Sequence, residues 1–144
     1  MAKRLWVRTA AHGAALGFAG LAIFQLVLAA GAPLGHAAWG GADAHLTTAL
    51  RIGSAVSVAF YVVAAAVVLR RAGHEVPWVS EKLARSGTWA LVVIMGLSAM
   101  ANLLSQSPWE RFLLGPTAMV LALLCTVVAR APVRSSDSAQ PAAS

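Results

Sequence analysis

Four apolar runs, each about as long as a bilayer is thick, constrain this chain more than anything else in it. They cover roughly residues 11–32, 46–69, 86–104 and 108–129. A helix needs about 20 apolar residues to cross the hydrocarbon core, so each run is long enough. Charged residues make up 11% of the 144, against about 25% in a soluble domain. A water-facing surface cannot be built over four such helices from so few charges. The expected fold is all-α: a transmembrane four-helix bundle, up-down-up-down.

The cations orient the bundle. Nine of the eleven Lys and Arg residues fall in the N-terminal segment, the link between the second and third runs, or the tail. Only Arg51 and Arg111 fall on the opposite side. The positive-inside rule then places both termini and the middle link in the cytoplasm of a cell with a plasma (inner) membrane. The net charge of +6 is thus an orientation signal, and nucleic acid is not an expected partner. Residues 1–10 read as a basic cytoplasmic N-terminus, 11–130 as the transmembrane domain, and 131–144 as a tail too poor in apolar surface to fold. The first run has a basic start like a signal peptide. Its apolar stretch is longer than the roughly 7–15 residues of a signal-peptide core, so it reads as a retained signal anchor.

Lipid tails are as apolar as leucine, so small residues mark where helices can pack closely. Gly13 and Gly17 stand at GxxxG spacing, and Gly53 and Ser57 are four apart. They suit seams within the bundle, or a contact with a membrane-protein partner or a second copy. Ser107-Pro108-Trp109-Glu110 has the pattern of a capping box with proline at the first helical position. Pro116 lies further along the same run and should kink it near the carbonyl of Phe112.

The remaining polar residues gather on the side opposite the basic segments. Gln25 sits ~10 Å deep, at 1.5 Å per residue. Arg51 lies about a turn into the second run, Asn102 near the end of the third, and Glu110 and Arg111 at the start of the fourth. The loop between the first two runs adds Trp39 and Asp43, with His36, His45 and four glycines. These residues are the candidate ligand-binding set: Arg51, Glu110, Arg111, Gln25, Asn102, Asp43 and Trp39. A cation inside a membrane helix is costly, so Arg51 must snorkel, pair with Asp43 or Glu110, or hold a ligand. Trp39 suits the headgroup level, in a loop that is a connector or a lid.

Other chemistries fit poorly. Cys125 is the one cysteine, so no intrachain disulfide or CxxC pair can form. No histidines face each other at mid-membrane height, as bis-His haem would require. His36, Asp43 and His45 lack a specific metal spacing, and neither metal nor cofactor is expected. No catalytic serine motif, HExxH or phosphate loop is present, so no catalytic residue is assigned and an enzyme is not expected. No acidic residue lies mid-span, against a proton-coupled exporter.

The segments GAPLGHAAWGG, LRIGS and NLLSQSPWERFLLGP resemble motifs of a family of small, uncharacterised bacterial four-helix integral membrane proteins. The shared parts are Gly31-x-Pro33-x-Gly35 with Gly40-Gly41, Arg51-x-x-Ser54, and Ser107-x-x-Glu110-Arg111 with Pro116. The family pattern has a proline before the arginine motif, where this chain has Leu46-Thr47-Thr48. The resemblance implies four spans and motifs on the outer face, and it brings no reaction with it. Two functions remain open: a small or lipid-like ligand bound at, or passed through, a polar outer mouth; or an accessory subunit of a larger membrane complex with no ligand site.

Overall fold

The computed structural model describes residues 2–131, with side chains from residue 4 onward. The expected tail therefore lies almost wholly outside the described residues. The described residues form four α-helices: α1 (Ala2–Ala29), α2 (Thr48–Arg71), α3 (Glu81–Leu103) and α4 (Gly115–Ala129). One 3-10 turn, Gly35–Ala37, interrupts the α1–α2 loop, and a π-helical turn, Glu110–Leu114, leads into α4. No strand is present among the described residues. Each of α1, α2, α3 and the continuous Glu110–Ala129 segment is long and apolar enough to cross a membrane.

Local chemistry sets the ends. Thr47 caps α2, its hydroxyl accepting from Leu50 N at 3.4 Å. Ser80 caps α3 in the same way through Leu83 N at 3.2 Å. That cap starts the third helix at Glu81, five residues ahead of the apolar run, so Lys82 and Arg85 lie on its first turns. The first helix likewise begins at Ala2 and takes in the basic N-terminus, because nothing between Ala2 and Ala11 breaks a helix. α1 and α2 both end in Schellman motifs. At the first, Gly31 (φ +96°) bonds back to Leu28 O, and Ala32 N reaches Val27 O. At the second, Gly73 (φ +89°) bonds to Arg70 O, and His74 N reaches Leu69 O. A left-handed residue is required at both points, and glycine takes it without steric cost.

The helices form a ring in which α1 packs chiefly on α2 and α3 chiefly on α4, with α1–α4 and α2–α3 closing it. α1 turns Ala11, Ala14 and Phe18 inward, a three-to-four-residue spacing that keeps them on one face. Leu91 and Met95 of α3 and Leu121, Cys125 and Val128 of α4 meet them. In each span only 22–33% of the window is buried inside the bundle. Leu16, Ile23, Val62, Val93, Leu97 and Leu123 all face outward. A soluble bundle would put polar residues there, so this is a protein whose outer surface suits lipid.

The GxxxG glycines serve the α1–α4 seam. A Cβ on Gly17 would lie 2.7 Å from Leu121 Cδ2, and one on Gly13 would lie 3.4 Å from Leu124 Cδ1. Gly53 is covered by the Trp39 ring, and Ser57 spends its hydroxyl on Gly53 O at 2.9 Å. These four residues are thus already engaged within the chain. At the basic end His12 and His74 meet edge to face at 4.9 Å between centroids. Burial, Arg8 and His12 together hold His74 below the ordinary imidazole value.

Gly17→Leu forces a branched side chain into the seam, and overpacking of this kind costs about 1–3 kcal/mol. The expected result is a lower thermal midpoint in detergent. A midpoint equal to wild type would mean that α1 and α4 do not meet at Gly17.

Candidate functional site

The loop end of the bundle is built around one carboxylate. Glu110 is only 8% exposed. Its Oε1 accepts from the backbone N–H of Gly40 at 3.0 Å, and its Oε2 accepts from the Ser105 hydroxyl. Ser105 Oγ in turn accepts from Ser107 N at 3.1 Å, and Ser107 Oγ donates to His36 O at 2.7 Å. The α1–α2 loop is thereby pinned to the α3–α4 turn at two points, Gly40 and His36. A third tie runs to α2: Trp39 Nε1 donates to the fully buried Ser54 hydroxyl at 3.1 Å. The Trp39 ring rests on Gly53, where a Cβ would come within 3.0 Å of Cη2. Trp39 takes a left-handed φ of 54°, unusual for so large a residue, and its two anchors hold it there.

The loop also closes on itself. Gly35 N donates to Ala44 O at 2.8 Å, and His36 Nδ1 bonds Gly41 O at 2.9 Å. A Cβ on Gly35 would fall 2.2 Å from Asp43 O, so only glycine lets the two passes of the loop lie this close.

The capping box is half formed. Ser107 stands at the N-cap, with Arg111 N bonded to its carbonyl at 3.0 Å and Glu110 N at 3.5 Å from its hydroxyl. The Glu110 side chain does not return to Ser107 N, as a full box would have it; it crosses to the loop. The irregularity expected of Pro116 takes the form of the π turn: Gly115 N reaches Glu110 O, five residues back. A wide turn ahead of the proline accommodates its missing N–H.

The sequence candidates separate into groups. Trp39 and Glu110 join the loop network. Arg51 does not pair with Glu110 or Asp43: its Nε donates to Ala29 O at 3.0 Å and its guanidinium lies against Gly31. A cation on the last carbonyls of α1 complements the helix dipole. Arg111 likewise spends Nη2 on Ser105 O at 2.9 Å. Asn102 bonds Ser98 O of its own helix at 2.8 Å. Gln25 turns Oε1 into the bundle, buried and without a hydrogen-bond partner. Asp43 is exposed on the loop. Of the residues expected at a polar mouth, Arg51, Arg111 and Asn102 each donate one hydrogen bond to a backbone carbonyl, and Trp39 and Glu110 tie the loop.

The open space lies beside it and is apolar. A groove of about 590 Å³ runs between α1 and the start of α4. Gly17, Gly20, Leu21 and Phe24 form one wall, and Trp109, Leu113, Leu114 and Thr117 the other. Pro33, Leu34, His36 and Ala37 of the pinned loop roof it. A Cβ on Gly20 would meet nothing within 4 Å, so the groove exists partly because this residue has no side chain. Thr117 donates its hydroxyl to Leu113 O at 2.7 Å, which leaves that wall apolar in character. None of the groove walls stood among the sequence candidates, because apolar residues in an apolar helix give no signal. Ser107 was legible as the start of a capping pattern; the Ser105 hydroxyl on Glu110 was not. Among the described residues no group of three His, Cys, Asp or Glu side chains could hold a metal ion.

Compared with family models, curated proteins and solved structures, the chain matches none. Its chemistry therefore has to be read from the geometry of the groove and its roof.

Glu110→Ala leaves the Gly40 N–H and the Ser105 hydroxyl without their acceptor, at a cost of about 1–3 kcal/mol for each group that stays buried. Faster hydrogen exchange at residues 36–41 and a lower thermal midpoint are expected. Unchanged exchange there would show that the carboxylate does not hold the loop.

Proposed function

We propose that this chain is an integral plasma-membrane protein that binds a lipid-like molecule, one chain of which lies in the groove between α1 and α4. The observation that carries the reading is the groove itself. It is apolar along its walls, lies in the loop-end half of helices long enough to span, and is roofed by a loop tied at three points, two to the α3–α4 turn and one to α2. A void of this size facing hydrocarbon would be filled by the surrounding apolar medium, and ligand sites of this class are concave, mostly apolar and largely preformed. In this reading Glu110 fixes the roof, and Arg51 and Arg111 each donate to a backbone carbonyl at the loop end.

The groove belongs to the outer leaflet in this reading, with both termini cytoplasmic. Arg8, Arg70, Arg71, Lys82, Arg85 and Arg130 all belong to the opposite end of the bundle, the cytoplasmic one by the positive-inside rule. Cys125 is the one cysteine of the chain and is buried, so a cysteine at the exposed loop residue Ala42 can be labelled selectively. Ala42→Cys should react with an impermeant maleimide on intact cells. Reaction only after lysis would invert the topology.

Gly20→Leu tests the groove. The added side chain meets open space, so folding should be preserved while the groove is blocked. Wild-type protein released from membranes into a native mass spectrometer should carry a lipid adduct that the variant lacks at equal thermal stability. Equal adducts on both would refute the groove as the site. A bare chain that instead travels with a stoichiometric membrane protein would favour the accessory-subunit reading.

A further inference from the structure

The basic end of the bundle carries a second feature, independent of the groove. His12 of α1 and His74 of the α2–α3 link meet edge to face, with ring centroids 4.9 Å apart and planes at 66°. His74 Nε2 is buried and has no hydrogen-bond partner. Arg8 stands four residues before His12, a spacing that puts both on one face of the helix. The segments that meet here share one core cluster: Ala10, Ala11 and Ala14 of α1, Val68 of α2, and Val76 and Val79 of the link. The backbone under His74 is fixed as well. Its N–H donates to Leu69 O at 3.1 Å and completes the Schellman motif after Gly73. His74 thus joins two helices: its backbone closes α2, and its ring touches α1.

This contact suits a neutral ring. A neutral imidazole carries a hydrogen on one nitrogen only, whereas the protonated ring donates from both. Protonation makes Nε2 a charged donor, buried without an acceptor, and such a group costs more than an unmade neutral bond. The surroundings add to that cost. Arg8 and His12 act on His74 from α1, and both disfavour its charge. Arg70 and Arg71 end α2, and Lys82 and Arg85 lie on the first turns of α3. Among the described residues the acids of this end are Glu75 in the link and Glu81 of α3, and both are exposed. With the folded value of His74 lowered by burial, Arg8 and His12, the sign of the linkage is set. The stabilising contribution is present above about pH 6.5, the unfolded imidazole value, and is lost as the pH falls through the folded one.

We propose that the His12–His74 contact is an acid-sensitive latch: uptake of a proton by His74 parts the α2–α3 link from the start of α1 and loosens the end of α2. In the orientation proposed above, the latch responds to the cytoplasm.

Hydrogen exchange of the full chain in nanodiscs, corrected for intrinsic amide rates, follows the latch from about pH 7.5 to about pH 5, across the imidazole range. Exchange at residues 70–80 and 8–14 should rise as the pH falls, with a midpoint below the ordinary imidazole value, while residues 91–99 stay protected. His74→Phe keeps an aromatic ring against His12 and cannot take up a proton, so the rise should be lost. His12→Phe removes a neighbour that disfavours the charge, so the midpoint should move up toward the ordinary value. A flat profile in wild type, a rise that survives in His74→Phe, or a midpoint unmoved by His12→Phe would each overturn the latch. Should His74→Phe not fold, His12→Phe, changed at an exposed residue, still decides.

Discussion

The bond from Gly40 N–H to the Glu110 carboxylate is the interaction on which the loop end depends. An irregular loop lying against apolar helices has backbone donors and acceptors that hydrocarbon cannot satisfy, and each one left open costs several kcal/mol. This loop meets the constraint partly internally, through Gly35–Ala44 and His36–Gly41, and partly by borrowing from its neighbours. Glu110, Ser107 and Ser54 supply the outside partners. Without the carboxylate the Gly40 amide would lose its acceptor and the loop one of its three ties.

The same accounting explains both cations on this side. Helix ends leave carbonyls without intrahelical donors. Arg51 answers one at Ala29 and Arg111 answers another at Ser105. Each guanidinium is a charged donor to a carbonyl, and charge-assisted bonds are stronger than neutral ones. Their rarity on this side of the chain thus marks places where the backbone needs a donor.

How far the residues announce this structure varies with the type of interaction. Apolar runs and the distribution of Lys and Arg are properties of segments, and they are legible: four spans, and a basic end separate from a loop end. Caps are legible where the spacing is local, as at Ser107. What a long side chain does next is not legible. Glu110 has the spacing of a capping box, yet it turns away from Ser107 N, because the Gly40 amide across the loop is otherwise unsatisfied. Arg51 has candidate acids in sequence, but the Ala29 carbonyl stands nearer in space. Gly53 and Ser57 look like a packing motif, and only the fold brings Trp39 over Gly53. Long-range pairings of this kind depend on which helices adjoin, and one sequence does not carry that information locally.

The groove follows from two glycines three residues apart on α1. At Gly17 the bare backbone lets Leu121 come in, and the helices close. At Gly20, about one turn nearer the loop, nothing comes in, although the residue is equally small. The difference lies in the opposite wall. Leu121 belongs to the regular part of α4, whereas Gly20 faces the region where the π turn and Pro116 alter the course of the chain. A small residue brings helices together only when the facing helix can follow, and otherwise it leaves a space. Here the loop is fixed above that space, since Trp39 is held by α2 and His36 and Gly40 by the α3–α4 turn. Seam, wide turn and pinned roof together make the opening a feature of the fold.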